Sequence, residues 1–464
     1  MITAAKPEHI VYGDKVVQVE PYGIEPIPER ERHGRPLGLL GMWLGANMSL
    51  STWLVGVVST ALFGLPLWLA WPAVLLGAAL GGAVVGLLSL IGPRLGVPQM
   101  IHGRAPFGMY GNMAPSILSA VLIVGFYAVN SVLGAFALDS LTHVGYLPSL
   151  ALLVIAQTVL AVYGHNMVHR FEQVMAVVLG ITFVIIGAYV ATRVDLLAPG
   201  NVAAPLGGSG LFASFMGSLG VALSFTISYA VLASDYTRYL PEKTGGASIW
   251  RNVFWGQLIG CGVLYIMGAA MGSVPSNVPP DAPPTELMAA LVPGYFIIPA
   301  MIAVVLGTMT QNVLATYSAG LAGLAAGIRS KRWSAALGAG VVGFFLAMLG
   351  QGGFAGKYEM FLHVILFWAL PWIGVILADY FIRNRDGYAA GLFYDSSHRI
   401  GRGLIAWVVG MAASIPFMHQ QLYTGPLAEA LPQIGDVSYY VGLLVAFAVH
   451  AAIGRPIARA NPGG

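Results

Sequence analysis

Three polar constellations interrupt otherwise apolar stretches of this chain, and their residue types suit recognition of a flat, uncharged ring. The first is Phe126, Tyr127 and Asn130. Phe126 and Asn130 stand at i and i+4, so on a helix they share a face. An aromatic ring beside an amide can stack on a heterocycle and hydrogen-bond its edge. The second is Thr308, Thr310, Gln311, Asn312 and Thr316. Adjacent amides are costly against lipid, so this face must point into protein; packing accounts for the hydroxyls better than for the two amides. The third is Ser224, Thr226 and Ser228, within the apolar stretch 211–241 that ends in Asp235-Tyr236-Thr237-Arg238-Tyr239. These hydroxyls either bond back to carbonyls of an intact helix or serve irregular backbone that lines a cavity.

Charge is nearly missing from the same stretches. Asp235, Asp379 and Asp139 fall at stretch ends, and no Lys or Arg sits in the middle of one. Ionisable groups at membrane depth are expensive and usually mark ion or proton paths. Their scarcity favours a neutral polar substrate over a carboxylate or phosphate, although helix N-termini can still attract an anion. His165 and His169 have ligand spacing but no third ligand, so a solvated pair is expected instead of a metal site. His363 lies near Tyr358 and Glu359, where a packed neutral histidine is preferred to a proton shuttle. No protease, kinase or P-loop motif is visible, so neither an enzyme nor a cofactor is expected.

The elements that position these residues are membrane-spanning helices. The chain is 57% hydrophobic and 9% charged, against roughly 25% charged in soluble domains, and its mean hydropathy is +0.77. Twelve stretches are long enough to cross a bilayer: 37–63, 67–91, 113–138, 146–164, 171–192, 211–233, 250–273, 295–321, 333–350, 359–382, 401–419 and 437–454. With both termini cytoplasmic, inside segments hold 20 Lys and Arg and outside segments hold 2, Arg193 and Lys357. This positive-inside split supports both the orientation and the count. It also puts Asp235 and Arg238 below the site, as gate or loop-anchoring residues. The outside loop 274–293 is proline-rich around TELMAAL and reads as a stiff connector, with a lid as the alternative. The single cysteine, Cys261, excludes an internal disulfide, and a net charge of +3 gives no argument for nucleic acid. The expected partners are membrane lipid and a small molecule.

A faint repeat links two of the constellations. Leu44-Gly45-Ala46-Asn47-Met48-Ser49 matches Leu219-Gly220-Val221-Ala222-Leu223-Ser224 at three of six positions, and hydroxyls follow both. Five spans precede the second copy, and an odd offset inverts it across the membrane, as in inverted-repeat transporters with broken helices at the midplane.

From about residue 20 to residue 388 the chain resembles the nucleobase:cation symporter-1 family of purine and cytosine permeases. The resemblance is carried by GIEPIPERERHGRP with Trp43-Leu44-Gly45-Ala46-Asn47, by SYAVLASDYTRYLP at 228–241 and by PWIGVILADYFIRNRDGY at 371–388. It implies an all-α polytopic membrane protein of LeuT type, a five-plus-five inverted repeat with two additional C-terminal helices. The expected parts are a cytoplasmic segment 1–36, repeats 37–192 and 211–383, the last pair 401–454 and a tail 455–464. It also implies a substrate site between the first, third, sixth and eighth spans. Phe126 then matches the base-stacking aromatic and Asn130 a polar contact one turn on. Phe225 or Thr226 supplies the second aromatic position, with Ser228 nearby, and Asn312 matches a substrate-binding asparagine beside Gln311. Phe126 and Phe225 would sandwich the ring. Sodium-coupled members use first-span carbonyls, near Gly45 and Met48 here, and two adjacent hydroxyl residues of the eighth span. Thr310 matches the first of these, but Gln311 stands where the second would be, so the coupling ion is H+ or Na+ with the proton favoured. The implied activity is uptake of cytosine or a purine-type base across the inner (plasma) membrane. Allantoin, a hydantoin or hydroxymethylpyrimidine are alternative substrates, and a channel or sensor is the alternative outside the class.

Overall fold

Backbone polar groups find no partner in hydrocarbon, so apolar stretches of this length must close their hydrogen bonds within helices. The computed structural model describes residues 23–454 apart from 164, 202–203, 205, 207–209, 275–277, 280–281, 329–331, 386 and 390. The side chains at 162–174, 176, 314 and 332–333 also lie outside the described set. The expected terminal tails, in large part, and the His165–His169 side-chain pair therefore fall outside it.

Among the described residues the fold is all-α. Six helices are long and apolar enough to cross a membrane: Leu67–Leu95, Met113–Thr142, Leu211–Thr237, Gly246–Ser273, Gly294–Ala325 and Phe354–Arg383. Six shorter apolar helices are Leu50–Ala61, Tyr146–Ala161, Val177–Ala191, Ser334–Gly350, Gly403–Phe417 and Ser438–Ile453. Each of the twelve expected spans falls on one of these, and the helices are numbered below by that order. Large apolar side chains such as Val121, Ile155, Val184 and Phe345 stay exposed, as a face toward lipid requires.

The first helix is split into Pro36–Asn47 and Leu50–Ala61. Met48 leaves helical geometry (φ −74°, ψ 76°) and Ser49 is extended (φ −143°, ψ 157°). Ser49 Oγ then accepts from the Thr52 backbone N–H at 3.2 Å, a serine N-cap that starts the second half. The sixth helix is interrupted less sharply than the first, ending its tightened stretch at Leu232 (φ −122°, ψ −5°). It is α-helical over Leu211–Ile227, tightens to 3₁₀ over Ser228–Leu232 and resumes as α over Ala233–Thr237. Its hydroxyls explain this. Thr226 bonds back to Ala222 O, supporting the α turn, whereas Ser228 bonds Phe225 O three residues back at 2.6 Å, which suits the tighter pitch.

Packing partners follow an exchange expected of an inverted repeat. The sixth helix packs on the second as both halves of the first pack on the seventh, and the third pairs with the eighth. The eleventh and twelfth helices pack together against the tenth. The contact of the first and seventh helices depends on glycine. A Cβ on Gly56 would lie 2.0 Å from Tyr265 O, and one on Gly268 would lie 2.0 Å from Trp53 O. Small residues permit this backbone approach. Gly56→Val is therefore expected to cost at least the ~1–3 kcal/mol of an overpacked core, read as a lower thermal midpoint of the purified protein in detergent. In the proline-rich connector, helix Pro284–Leu291 buries Met288 and Leu291 and docks on the third and seventh helices.

Candidate functional site

A cavity of about 470 Å³ lies between the first, third, fifth, sixth and eighth helices. Met48 and Ser51 line it at the break in the first helix, and it extends along that helix to Gly41 and Gly38, which are exposed. The cavity thus opens toward the end of the bundle that carries the arginine-rich loops. The other end is closed by the tenth helix. Tyr358 OH donates to Ser51 O at 3.0 Å, Ser224 Oγ donates to Leu362 O, and the Phe361 ring meets Phe126 edge to face at 5.1 Å.

Most of the residues singled out from sequence line this space: Phe126, Asn130, Phe225, Ser228, Thr310 and Gln311, with Gly45 and Met48 at the helix break. Phe126 and Phe225 stand at 5.6 Å and 90°, edge to face. That geometry suits two rings in direct contact, whose quadrupoles disfavour parallel stacking, and it leaves no slot between them for a third ring in this state.

Two of the expected residues do not line it. Thr226 turns to the seventh helix, where its Oγ1 lies 3.1 Å from Tyr265 OH. Asn312 is fully buried behind Asn130. Its Nδ2 lies within reach of Tyr127 O at 3.0 Å, Ser131 Oγ at 3.0 Å and Gln157 Oε1 at 3.1 Å. A backbone carbonyl can only accept, so this atom must be the nitrogen, and Oδ1 must face Asn130. Asn130 Nδ2 accordingly donates to it at 3.2 Å. The orientation passes one step further: Asn130 Oδ1 is the amide atom left over, buried at the cavity wall without a hydrogen-bond partner among the described residues.

The break carbonyl is occupied by protein donors. Ala46 O accepts from Gln311 Nε2 at 2.8 Å and from Tyr229 OH at 3.0 Å. Thr310 Oγ1 donates to Gly307 O at 2.7 Å within its own helix.

These contacts sit in a recognisable frame. The family described as permease for cytosine/purines, uracil, thiamine and allantoin matches residues 26–442. The chain belongs to this family. The family is one of permeases, not enzymes. A Bacillus subtilis (strain 168) protein, YxlA, named as a candidate purine-cytosine permease, is 28% identical and covers 96% of this chain and 98% of its own. The purine-cytosine permease fcyB of Emericella nidulans is 26% identical over 96% of this chain and 92% of its own. In fold, the chain is similar to the nucleobase-cation-symport-1 transporter Mhp1. The inward-facing form has TM-score 0.75 at 18% identity, covering 94% of this chain and 93% of the other. The closed form with bromovinylhydantoin bound has TM-score 0.73. The LeuT-type membrane fold is thereby shown.

In this permease several wall residues were not anticipated from sequence. Trp43 packs edge-on against Tyr229 at 5.2 Å and Tyr236 at 5.7 Å, forming the cavity's open half. All three lie inside motifs that marked the family, and the motif gave no sign of which way they face. Gln157 was missed because a lone amide in an apolar helix looks like packing.

Asp235 and Arg238 lie past the open half and do not line the cavity. Asp235 Oδ1 accepts from the Gln99 backbone N–H at 2.8 Å, and Gln99 Oε1 returns the tie to the Ser234 N–H at 3.1 Å. Arg238 reaches Gly23 O at 2.8 Å. On the same short helix as Gln99, burial pushes His102 down to about 3, so its imidazole is neutral.

Proposed function

We propose that this permease imports a flat, uncharged nitrogen heterocycle of the cytosine or purine type, coupled to a cation, by alternating access. The observation that carries this reading is the orientation of Asn130. A chain of bonds anchored on the Tyr127 carbonyl leaves its Oδ1 as a buried acceptor without a partner among the described residues, on a residue that lines the same cavity as Phe126 and Phe225. A ligand that pairs with it needs a ring N–H, and one that uses the phenyl faces needs a flat π-system. Nucleobases supply both. Hydantoins and allantoin share the N–H edge with less aromatic surface, and the Mhp1 complex with bromovinylhydantoin keeps them as the second reading.

The opening lies at the arginine-rich end, which the positive-inside rule makes cytoplasmic. The conformation is then inward-open, in the inner (plasma) membrane, with both termini inside. Repeats 37–192 and 211–383 would rock against each other, with 401–454 as an added pair. The coupling ion in this reading is the proton. A sodium ion needs a cage of oxygens, and Gln311, standing where the second hydroxyl is expected, turns its amide N–H to Ala46 O instead of offering an oxygen near Gly45 and Met48.

The test is a thermal-shift panel on purified protein with cytosine, adenine, guanine, hypoxanthine, uracil, allantoin and a hydantoin, each in sodium and in potassium chloride. A ligand at 100 times its Kd stabilises the folded state by about 2.7 kcal/mol. A base should raise the midpoint by several degrees, equally in both salts. Stabilisation by allantoin or hydantoin alone would move the substrate class, and a shift confined to sodium would overturn the proton assignment.

A further inference from the structure

A second polar cluster lies on the tenth helix, just beyond the closed end of the cavity. Glu359 and His363 are one helical turn apart and are 4% and 3% exposed. His363 Nδ1 donates to Glu359 Oε1 at 2.8 Å, and Glu359 Oε2 accepts from Gln421 Nε2 at 2.6 Å. A second buried carboxylate, Asp436, 3% exposed, lies in the loop before the twelfth helix, and its charge reaches the imidazole. Its Oδ1 accepts from the Ser438 N–H at 2.9 Å, while its Oδ2 is buried with no hydrogen-bond partner among the described residues.

Few other titratable groups reach this place. Leu50–Ala61, Leu211–Ile227 and Gly403–Ser414 contain none. The third helix brings Asp139, which accepts from the Gly145 N–H at 2.8 Å, and the 3₁₀ turn of the sixth brings Tyr229. The twelfth brings Tyr439 and Tyr440 beside Asp436, and His450, which is bound to Asp379. The loop between the last two helices adds His419 and Glu429, and the tenth helix itself adds Lys357 and Tyr358.

A neutral imidazole gives the buried Glu359 carboxylate a hydrogen bond but no counter-charge, and a proton on the ring supplies one. Nδ1 is committed to Glu359, so Nε2 is the atom that takes or releases that proton. We infer that Glu359, His363 and Asp436 form the proton-binding site that couples this permease to a pH gradient, an inference that rests on the proton-coupled reading above. The cluster is placed to act on access. Tyr358, Phe361 and Leu362, interleaved with it on the same helix, make the three contacts that seal the cavity. A proton on His363 offsets the charge of Glu359, the residue that ties the tenth helix to the loop carrying Gln421 and Asp436. Loading from the outer side therefore favours the position in which this helix covers the site.

The test uses proteoliposomes of the full chain with radiolabelled cytosine, adenine and hypoxanthine. Accumulation under an imposed pH gradient, acid outside, is compared with counterflow under no gradient. His363→Gln and Glu359→Gln should lower gradient-driven accumulation about tenfold or more, a plausible coupling free energy, and keep counterflow. Asp436→Asn should shift the pH midpoint of uptake downward, because the imidazolium loses a carboxylate whose charge reaches it. A wild type that ignores the pH gradient sinks the proton-coupled reading itself. A responsive wild type matched by His363→Gln sinks only this site. Loss of counterflow together with accumulation in all three variants would show that the cluster holds the fold, and would overturn the assignment as well.

Discussion

Asn312→Ala is expected to abolish high-affinity binding although Asn312 does not touch the cavity. Its amide satisfies Tyr127 O, Ser131 and Gln157 on one side and fixes Asn130 on the other. With alanine there, the Asn130 amide loses the acceptor that dictates its orientation. It can then present nitrogen to the cavity, where the substrate presents its own N–H. Losing one well-placed hydrogen bond costs about 1.4 kcal/mol, a tenfold loss of affinity, and a donor facing a donor costs more. Stability should fall too, since Gln157 Oε1 and Asn130 Nδ2 lose their partner at about 1–3 kcal/mol each, while Tyr127 O and Ser131 keep theirs in Ser131 Oγ and Gln157 Nε2. Thermal midpoints without ligand report the second effect, and ligand-induced shifts report the first. Asn130→Ala separates them, because it removes the cavity acceptor and leaves the Asn312 bonds to Tyr127, Ser131 and Gln157 in place. Wild-type affinity in Asn312→Ala would show that the orientation chain does not set recognition.

How far the sequence reached can be judged at the same residues. Helix positions were legible because hydrocarbon length and charge alternation both constrain them; most observed helices end within a few residues of the expected spans, and the first covers its span as two pieces, Pro36–Asn47 and Leu50–Ala61. The break in the first helix was anticipated only through the faint repeat and its hydroxyls; that Ser49 caps the second half is seen in the structure alone. Facing was harder. Successive residues on a helix point about 100° apart, so a wall that takes Gln311 need not take Asn312, and one that takes Phe225 need not take Thr226. Nothing in a single sequence says which member of each pair turns inward. Contacts supplied by distant segments were also invisible: the spacing of Glu359 and His363 could be seen, but Asp436 and Gln421 arrive from the loop between the last two helices. The matching break in the sixth helix is milder than in the first: Ser228 satisfies a carbonyl within its own tightened turn, and the backbone leaves helical geometry only at Leu232.

Gln311→Ser is expected to make this permease respond to sodium. Gln311 Nε2 supplies one of the two donors on Ala46 O, at the point where the first helix stops. Helix-end carbonyls must be satisfied by something, and here a side-chain amide does it permanently. Serine is too short to reach, so one lone pair of the carbonyl is freed. Its hydroxyl and that of Thr310 then stand as adjacent oxygens opposite the break, the kind of donor set a hard cation takes. Without sodium the variant should be less stable than wild type by about 1–2 kcal/mol, the worth of one interhelical hydrogen bond. Sodium chloride, but not potassium or choline chloride, should restore its thermal midpoint, while the wild-type midpoint stays the same in all three salts. Gln311→Met serves as the control, because it keeps the length, removes the donor and adds no oxygen; it should be destabilised equally and rescued by no salt. If sodium stabilises wild type as much as the variant, Gln311 is not a built-in substitute for the cation, and the amide must swing away when the ion arrives.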